Sequence, residues 1–161
     1  MLLAASPGQP IDAMVKLNTG MNRLGFSPDD FRTAYQQALL AQQRNILGTL
    51  GKMTHFARAD DDVAVTEEQI RLFKEATQGL AGRVSVCNSA ATLTPQRWLS
   101  MPPQEEQWVR PGICLYGSSP FATQSAQSFG LRPAMTFSSR LISVRTIRAG
   151  AGVGYGHTFT A

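Results

Sequence analysis

"VKLNTGMNRLGFSPDDF", Val15 to Phe31, decides how this chain is read. Its left end closes a short strand-like run, "AMVKLN" (Ala13–Asn18), and its right end opens a helix. Ser27 stands at the N-cap and Pro28 at the first helical position, with Asp29 and Asp30 at the positive end of the helix dipole. Phe31, Ala34, Tyr35, Ala38 and Leu39 then recur at helical spacing and form one apolar stripe. Strand, glycine turn and helix make the first half of a βαβ unit. The same stretch poses a chemical question. Lys16 ends the strand and Arg23 follows the turn at Gly20, with no carboxylate between them.

Outward from this stretch the alternation continues. "ILGTLGKMTHF" (Ile46–Phe56) reads as a second strand interrupted by glycines. Thr66 is expected to open a second helix, with Gln69 completing a capping box and Ile70, Phe73, Thr77 and Leu80 on the inner face. "RVSVCN" (Arg83–Asn88) is a third strand, "SAATL" a short helical turn, and "GICLYG" (Gly112–Gly117) a fourth strand. Strands alternating with helices predict an α/β fold with a parallel sheet, either a barrel or doubly wound. After Pro120 the pattern changes. "AMTFSSRLISVRTIRAG" (Ala134–Gly150) is β-rich with no helical partner, and "AGVGYGHTFT" (Ala151–Thr160) reads as a glycine turn and a returning strand. We therefore expect an α/β segment over 1–125 and a β-rich segment over 126–161. Two strands are too few for an independent sheet, and four parallel strands leave a barrel half open, so a piece of a longer protein is expected.

With 161 residues, 43% hydrophobic and 16% charged, the chain is globular rather than disordered. No apolar run reaches the ~18 residues of a membrane span. "MLLAASPGQP" lacks a basic leader region and is too short in its apolar part for a signal peptide. Cys87 and Cys114 read as small buried hydrophobes of a reducing cytoplasm, and no metal cluster is expected. The net charge of +4 is uneven: residues 108–161 carry Arg110, Arg132, Arg140, Arg145 and Arg148 and no carboxylate. These arginines are dispersed rather than run together, which argues against nucleic acid and for a phosphate-bearing small ligand or an acidic surface elsewhere in an assembly.

Several residues carry chemistry in this pattern, each beside a plainer reading. His55 in "THFARADDD" is by type more often structural, and Asp60–Asp62 read as a solvated turn. Asn88 and Ser89, at a strand-to-helix junction, make an N-cap or an anion site. Arg110 precedes a Pro-Gly turn whose Gly112 and Ile113 offer backbone N–H groups, an arrangement that can hold phosphate in α/β barrels, although a lone arginine here is more often a surface charge. The glycines at 150, 152, 154 and 156 fail the dinucleotide-binding spacing and leave Tyr155 and His157 as the bulky residues presented, whether or not the segment is a plain hairpin.

Taken in order, "VKLNTGMNRLGF", "THFARAD", "NSAATL", "VRPGICLYGSSP" and "GVGYGHTF" resemble the bacterial alanine racemases, over nearly the whole chain. The resemblance implies the later half of a pyridoxal 5'-phosphate (PLP)-binding (β/α)8 barrel followed by the start of a mainly β C-terminal domain. It implies interconversion of L- and D-alanine through a PLP aldimine by two bases, supplying D-alanine for peptidoglycan, in a cytoplasmic homodimer. By the same resemblance Lys16 matches a lysine carbamylated in many members, which would hold Arg23, and Arg23 matches the arginine that meets the cofactor's phenolic oxygen and the substrate carboxylate. Ser89, Gly112 and Ile113 match phosphate ligands. Arg110 matches the arginine facing the pyridine nitrogen, and His55 the histidine bridging it to the catalytic tyrosine, Tyr155. A phenol, with an ordinary pKa near 10, serves as a base at neutral pH only beside cations. The family's second base, the lysine that also binds the cofactor, has no match here: Lys16, Lys52 and Lys74 all lack its flanks. The chain alone is therefore expected to be inactive. Two alternatives remain, a non-catalytic PLP-binding barrel of cofactor homeostasis and a remnant that only associates with a partner chain.

Overall fold

The structure, a computed structural model, describes residues 8–99, 101 and 106–161. Most of the segment in which no leader was expected, residues 1–7, lies outside the described residues. Three parallel strands, β1 (Ile11–Lys16), β2 (Leu47–Met53) and β3 (Arg83–Ser85), form one sheet in the order β1-β2-β3. Helices α1 (Pro28–Gln43) and α2 (Val63–Thr77) are the crossovers, as the alternation predicted. The register separates the two faces. Val15, Lys52 and Val84 are neighbours on the helix-covered face, and Lys16, Met53 and Ser85 on the other.

The core lies between sheet and helices. Leu17, Phe31, Tyr35, Leu50, Phe73, Val84 and Val86 are buried there, each large apolar side chain contributing roughly 1.5–3 kcal/mol. The Phe31 and Tyr35 rings pack 5.9 Å apart. Lys52 is the exception in this layer, fully buried yet satisfied: its Nζ donates to the carbonyls of Leu80 at 2.5 Å and Gly82 at 3.2 Å.

Helix α1 begins as its sequence dictates, with Ser27 Oγ accepting from the Asp30 N–H at 3.2 Å. Helix α2 begins three residues earlier than the expected Thr66. Asp62 takes the N-cap, its Oδ1 accepting from Val65 N–H at 3.0 Å, while Thr66 lies one turn inside and donates back to the Asp62 carbonyl. Aspartate is the stronger cap, and Val63 to Val65 fill the first turn.

The fourth strand was expected at Gly112–Gly117 and lies earlier. Val84 N–H donates to the Glu106 carbonyl and Trp108 N–H to the Val84 carbonyl, at 2.9 and 2.8 Å, so Glu106–Trp108 runs alongside β3. Arg83 fastens this edge, pairing with Glu106 at 2.7 Å and lying 4.7 Å over the Trp108 ring. Residues Ile113–Tyr116 instead form a 3-10 turn, closed by Gly117 in the left-handed region at φ 83°.

Short helices α3 (Ser89–Thr92) and α4 (Pro95–Leu99) follow β3. Toward the C-terminus a two-stranded antiparallel ribbon joins β4 (Gly152–Val153) to β5 (Phe159–Thr160). The run Ala134–Gly150, read as β-rich, forms no strand among the described residues. Phe137 and Ile142 are essentially fully exposed there. Strand composition alone does not make a strand; a ladder needs a neighbouring edge, and no described segment pairs with this run.

Candidate active site

The polar ends of the three strands converge at the C-terminal edge of the sheet, where ligands of parallel α/β sheets bind. After β1 the chain leaves in a loop and returns to the same place. Phe26 N–H donates to the Lys16 carbonyl and Asn18 N–H to the Phe26 carbonyl, both at 2.8 Å. Asn18 Oδ1 accepts from the N–H groups of Gly20 and Asn22 and fixes the turn between. Gly25, at φ 118°, is required for the closure, because a Cβ there would sit 2.9 Å from the Lys16 carbonyl oxygen. Arg23 is thus held at the exposed tip of a closed loop.

A buried polar cluster, not foreseen in the sequence, locks this loop to the one after β2. Gln69, 2% exposed on α2, donates from Nε2 to Thr19 Oγ1 at 3.0 Å and to the His55 carbonyl at 3.3 Å, and accepts from Ala57 N–H at 2.8 Å. Thr19 and Thr54 hydroxyls meet at 2.7 Å. Gln69 had been assigned to a capping box. Its place on the apolar stripe of Ile70 and Phe73 was the available signal that it points inward. Replacing Gln69 with Leu should cost about 1–3 kcal/mol in denaturant unfolding, because the Ala57 N–H and the His55 carbonyl lose this partner and Thr19 loses one of its two.

Arg110 occupies the centre of the site. Its guanidinium donates to Ser85 Oγ, to the Thr54 carbonyl at 2.7 Å and to His55 Nδ1 at 3.3 Å. Arginine offers no acceptor, so His55 Nδ1 must accept, and the neutral imidazole carries its proton on Nε2. Three of the five guanidinium donors are engaged, which leaves two. Burial, then the charges of Arg110, Arg23 and Lys16, hold the His55 pKa below its ordinary 6.5. Burial, then Arg23 and Arg110, lower the Lys16 pKa as well. Lys16, Arg23, His55 and Arg110, named separately in the sequence, therefore share one electrostatic neighbourhood. Every charge acting on Lys16 and His55 is a cation, so the arrangement favours a bound anion.

The depressed His55 pKa has a consequence for stability. Between the folded pKa and 6.5 the unfolded chain binds the proton that the folded chain refuses. Stability should fall as the pH drops below 6.5 and recover as it rises. Denaturant midpoints from pH 5 to 8 check this, and His55→Gln should flatten the slope in that window.

Beside Arg110 lies a cavity of about 470 Å³ lined by His55, Asn88, Ser89, Arg110, Gly112 and Ile113, with Asp60 as its one carboxylate. Its size falls in the roughly 300–1,000 Å³ range of small-molecule sites. Asn88 caps α3 through Oδ1 to Ala91 N–H. Ser89 Oγ accepts from Gly112 N–H at 2.8 Å and Cys114 N–H at 3.4 Å, so its hydroxyl proton remains to be donated. Gly112 N–H, expected to face a phosphate, is thus turned to Ser89; Ile113 N–H has no acceptor among the described residues. A hydroxyl, a backbone N–H and a guanidinium with two unused donors, all lining one cavity, fit the phosphate and ring of a pyridoxal cofactor. Tyr155 stands apart, its ring fully exposed at the tip of the β4–β5 ribbon. Asp61 and Asp62 pair with Arg58, as a solvated turn would. Cys87 and Cys114 are buried and free, and burial pushes the Cys87 thiol up to about 11.

Residues 1–120 match the family described as "Alanine racemase, N-terminal domain". The chain belongs to this alanine racemase family. The family is PLP-dependent. Over 162 residues the chain is 52% identical to the alanine racemase of Bordetella petrii, covering 100% of this chain and 43% of that protein. It is 53% identical to that of Bordetella avium over 161 residues, covering 100% and 42%. The chain thus spans about two fifths of the length of the curated relatives it matches. The biosynthetic alanine racemase of Pseudomonas aeruginosa superposes with a TM-score of 0.78 at 38% identity, over 99% of this chain and 42% of that one. The alanine racemase of D-cycloserine-producing Streptomyces lavendulae superposes with a TM-score of 0.80 at 31% identity, over 95% and 41%. Among the described residues no helix is long and apolar enough to cross a membrane, and no three His, Cys, Asp or Glu groups cluster as a metal site.

Proposed function

We propose that this chain furnishes the cofactor-holding and one proton-transferring part of an alanine racemase, interconverting L- and D-alanine in a homodimer. The observation that carries this reading is the meeting of Arg110, His55 and Ser89 around one cavity. In this reading residues 1–125 are part of an α/β barrel and 126–161 begin a second, β-rich domain, in keeping with a family match that stops at residue 120.

When bound, PLP supplies the electron sink that makes the α-hydrogen of an attached amino acid acidic. The Ser89 hydroxyl and Ile113 N–H would hold its phosphate. Arg110 has unused N–H groups that would meet the ring nitrogen; being permanently protonated, it would donate there and not deliver a proton. Lys16 and Arg23 add positive charge near His55, and Arg23 would take the carboxylate of the substrate. Carbamylation of Lys16 would exchange one cation for an anion that pairs with Arg23. Tyr155, exposed in its own chain, enters the cavity of a second copy and removes or returns a proton on one face of the α-carbon. Lys52 is committed to the Leu80 and Gly82 carbonyls and is unsuited to be the second base. In this reading the chain alone supplies one of the two bases and is expected to be inactive.

The test is a chimera in which this chain replaces the matching 162 residues of the Bordetella petrii enzyme. It should racemise alanine within about tenfold of the parent, since this chain brings Arg110, His55, Ser89 and Tyr155 with it. A folded chimera that binds PLP but leaves L-alanine unchanged would overturn the reading.

A further inference from the structure

Arg110 is a half-buried cation that pairs with no carboxylate among the described residues, so its orientation comes from neutral acceptors. Two of them lie on the sheet: Ser85 Oγ on β3 and the Thr54 carbonyl after β2. They hold different nitrogens, Nη1 and Nη2, and so fix the plane of the guanidinium. Without Ser85 both remaining contacts, to the Thr54 carbonyl and His55 Nδ1, fall on Nη2, and the group can swivel about that nitrogen. Thr54 contributes a backbone oxygen that no substitution removes, which makes Ser85 the adjustable anchor.

Ser85 is itself constrained. It is 0% exposed, and its hydroxyl donates to the Trp108 carbonyl at 2.7 Å. A serine hydroxyl has one proton. That proton is committed to Trp108, so toward Arg110 the oxygen can only accept. The polarity of the whole line follows: Arg110 to Ser85, Ser85 to the edge segment Glu106–Trp108 that carries Arg110 two residues later. The segment that bears the arginine is thereby tied to the strand that orients it.

We propose that Ser85 is the positioning residue of this site, holding the Arg110 guanidinium flat against His55 and toward the cavity; its bearing on catalysis rests on the racemase reading, whereas its effect on Arg110 does not. Ser85 touches neither the cavity nor His55, so it acts only through Arg110.

NMR on the unaltered chain with labelled arginine and histidine reads the geometry directly. A pinned guanidinium gives separate, slowly exchanging Nη1 and Nη2 signals for Arg110; a single averaged signal would overturn the proposal without any variant having to fold. In Ser85→Ala those signals should merge, and the His55 titration should move up toward 6.5 as the guanidinium leaves. Ser85→Thr, which keeps the hydroxyl, should leave both as they were. An unmoved His55 titration in a folded Ser85→Ala chain overturns the proposal, even if the variant is less stable. In the chimera the same change should lower kcat about tenfold to a hundredfold with KM for alanine little altered, the rate equivalent of one hydrogen bond to a charged group. If the chimera is inactive from the start, the racemase reading fails while the NMR result stands.

Discussion

Tyr155→Phe in the chimera should reduce racemisation by about 10²–10⁴-fold, the usual worth of a positioned proton-transfer group. The tyrosine ring is fully exposed in its own chain. Losing its hydroxyl therefore costs the isolated fold almost nothing, within about 0.5 kcal/mol. A fall in rate with unchanged unfolding can then be charged to chemistry rather than to collapse. The hairpin that presents the ring is set by backbone: Gly154 and Gly156 both take positive φ, 71° and 67°, and a Cβ on Gly152 would run into the His157 ring. Direction gives the sharper reading. If one base serves each face of the α-carbon, Tyr155→Phe stops exchange of the α-hydrogen with solvent deuterium from one enantiomer and spares it from the other. Equal slowing from both enantiomers would remove Tyr155 from the role of a single-face base.

Local patterns made much of this legible. Ser27-Pro28-Asp29 fixed the start of α1 because N-capping is decided within one turn. The parallel order followed from strands alternating with amphipathic helices. What failed were segments whose structure depends on a partner. "GICLYG" has strand composition, but the edge beside β3 is filled by Glu106–Trp108, where Arg83 grips both Glu106 and Trp108. The run Ala134–Gly150 has β-branched and aromatic residues but no described edge to pair with. Lys16, Arg23, His55, Ser89 and Arg110 stand out as types only through the order of the motifs that carry them, since each alone has a plainer reading. Their supports do not stand out at all. Ser85, Thr54, Thr19 and Gln69 are common polar residues whose role exists only when three strand ends are brought together, and no spacing along the chain announces it.

Arg110→Glu should be the most damaging single change inside the cavity. The guanidinium is the donor in three contacts, and a carboxylate can serve none of them: Ser85 Oγ, the Thr54 carbonyl and His55 Nδ1 would all face an acceptor. Relief comes only if His55 takes up a proton or the Ser85 hydroxyl abandons Trp108. The first is the smaller rearrangement. Arg110 now presses the His55 pKa down, second only to burial; a carboxylate in the same place presses it up. The imidazole titration should therefore cross from below 6.5 to above it, a reversal of sign that loss of the arginine alone would not produce. Arg110→Gln is the control, since it removes the charge without inverting it and should bring His55 only part of the way. Racemisation by the Arg110→Glu chimera should fall by about 10²–10³-fold, the scale of losing one preorganised donor at a site of developing charge. A His55 pKa that stays depressed in Arg110→Glu would mean that burial, rather than the neighbouring guanidinium, governs the histidine, and the coupling drawn between Arg110, His55 and Tyr155 would lose its physical basis.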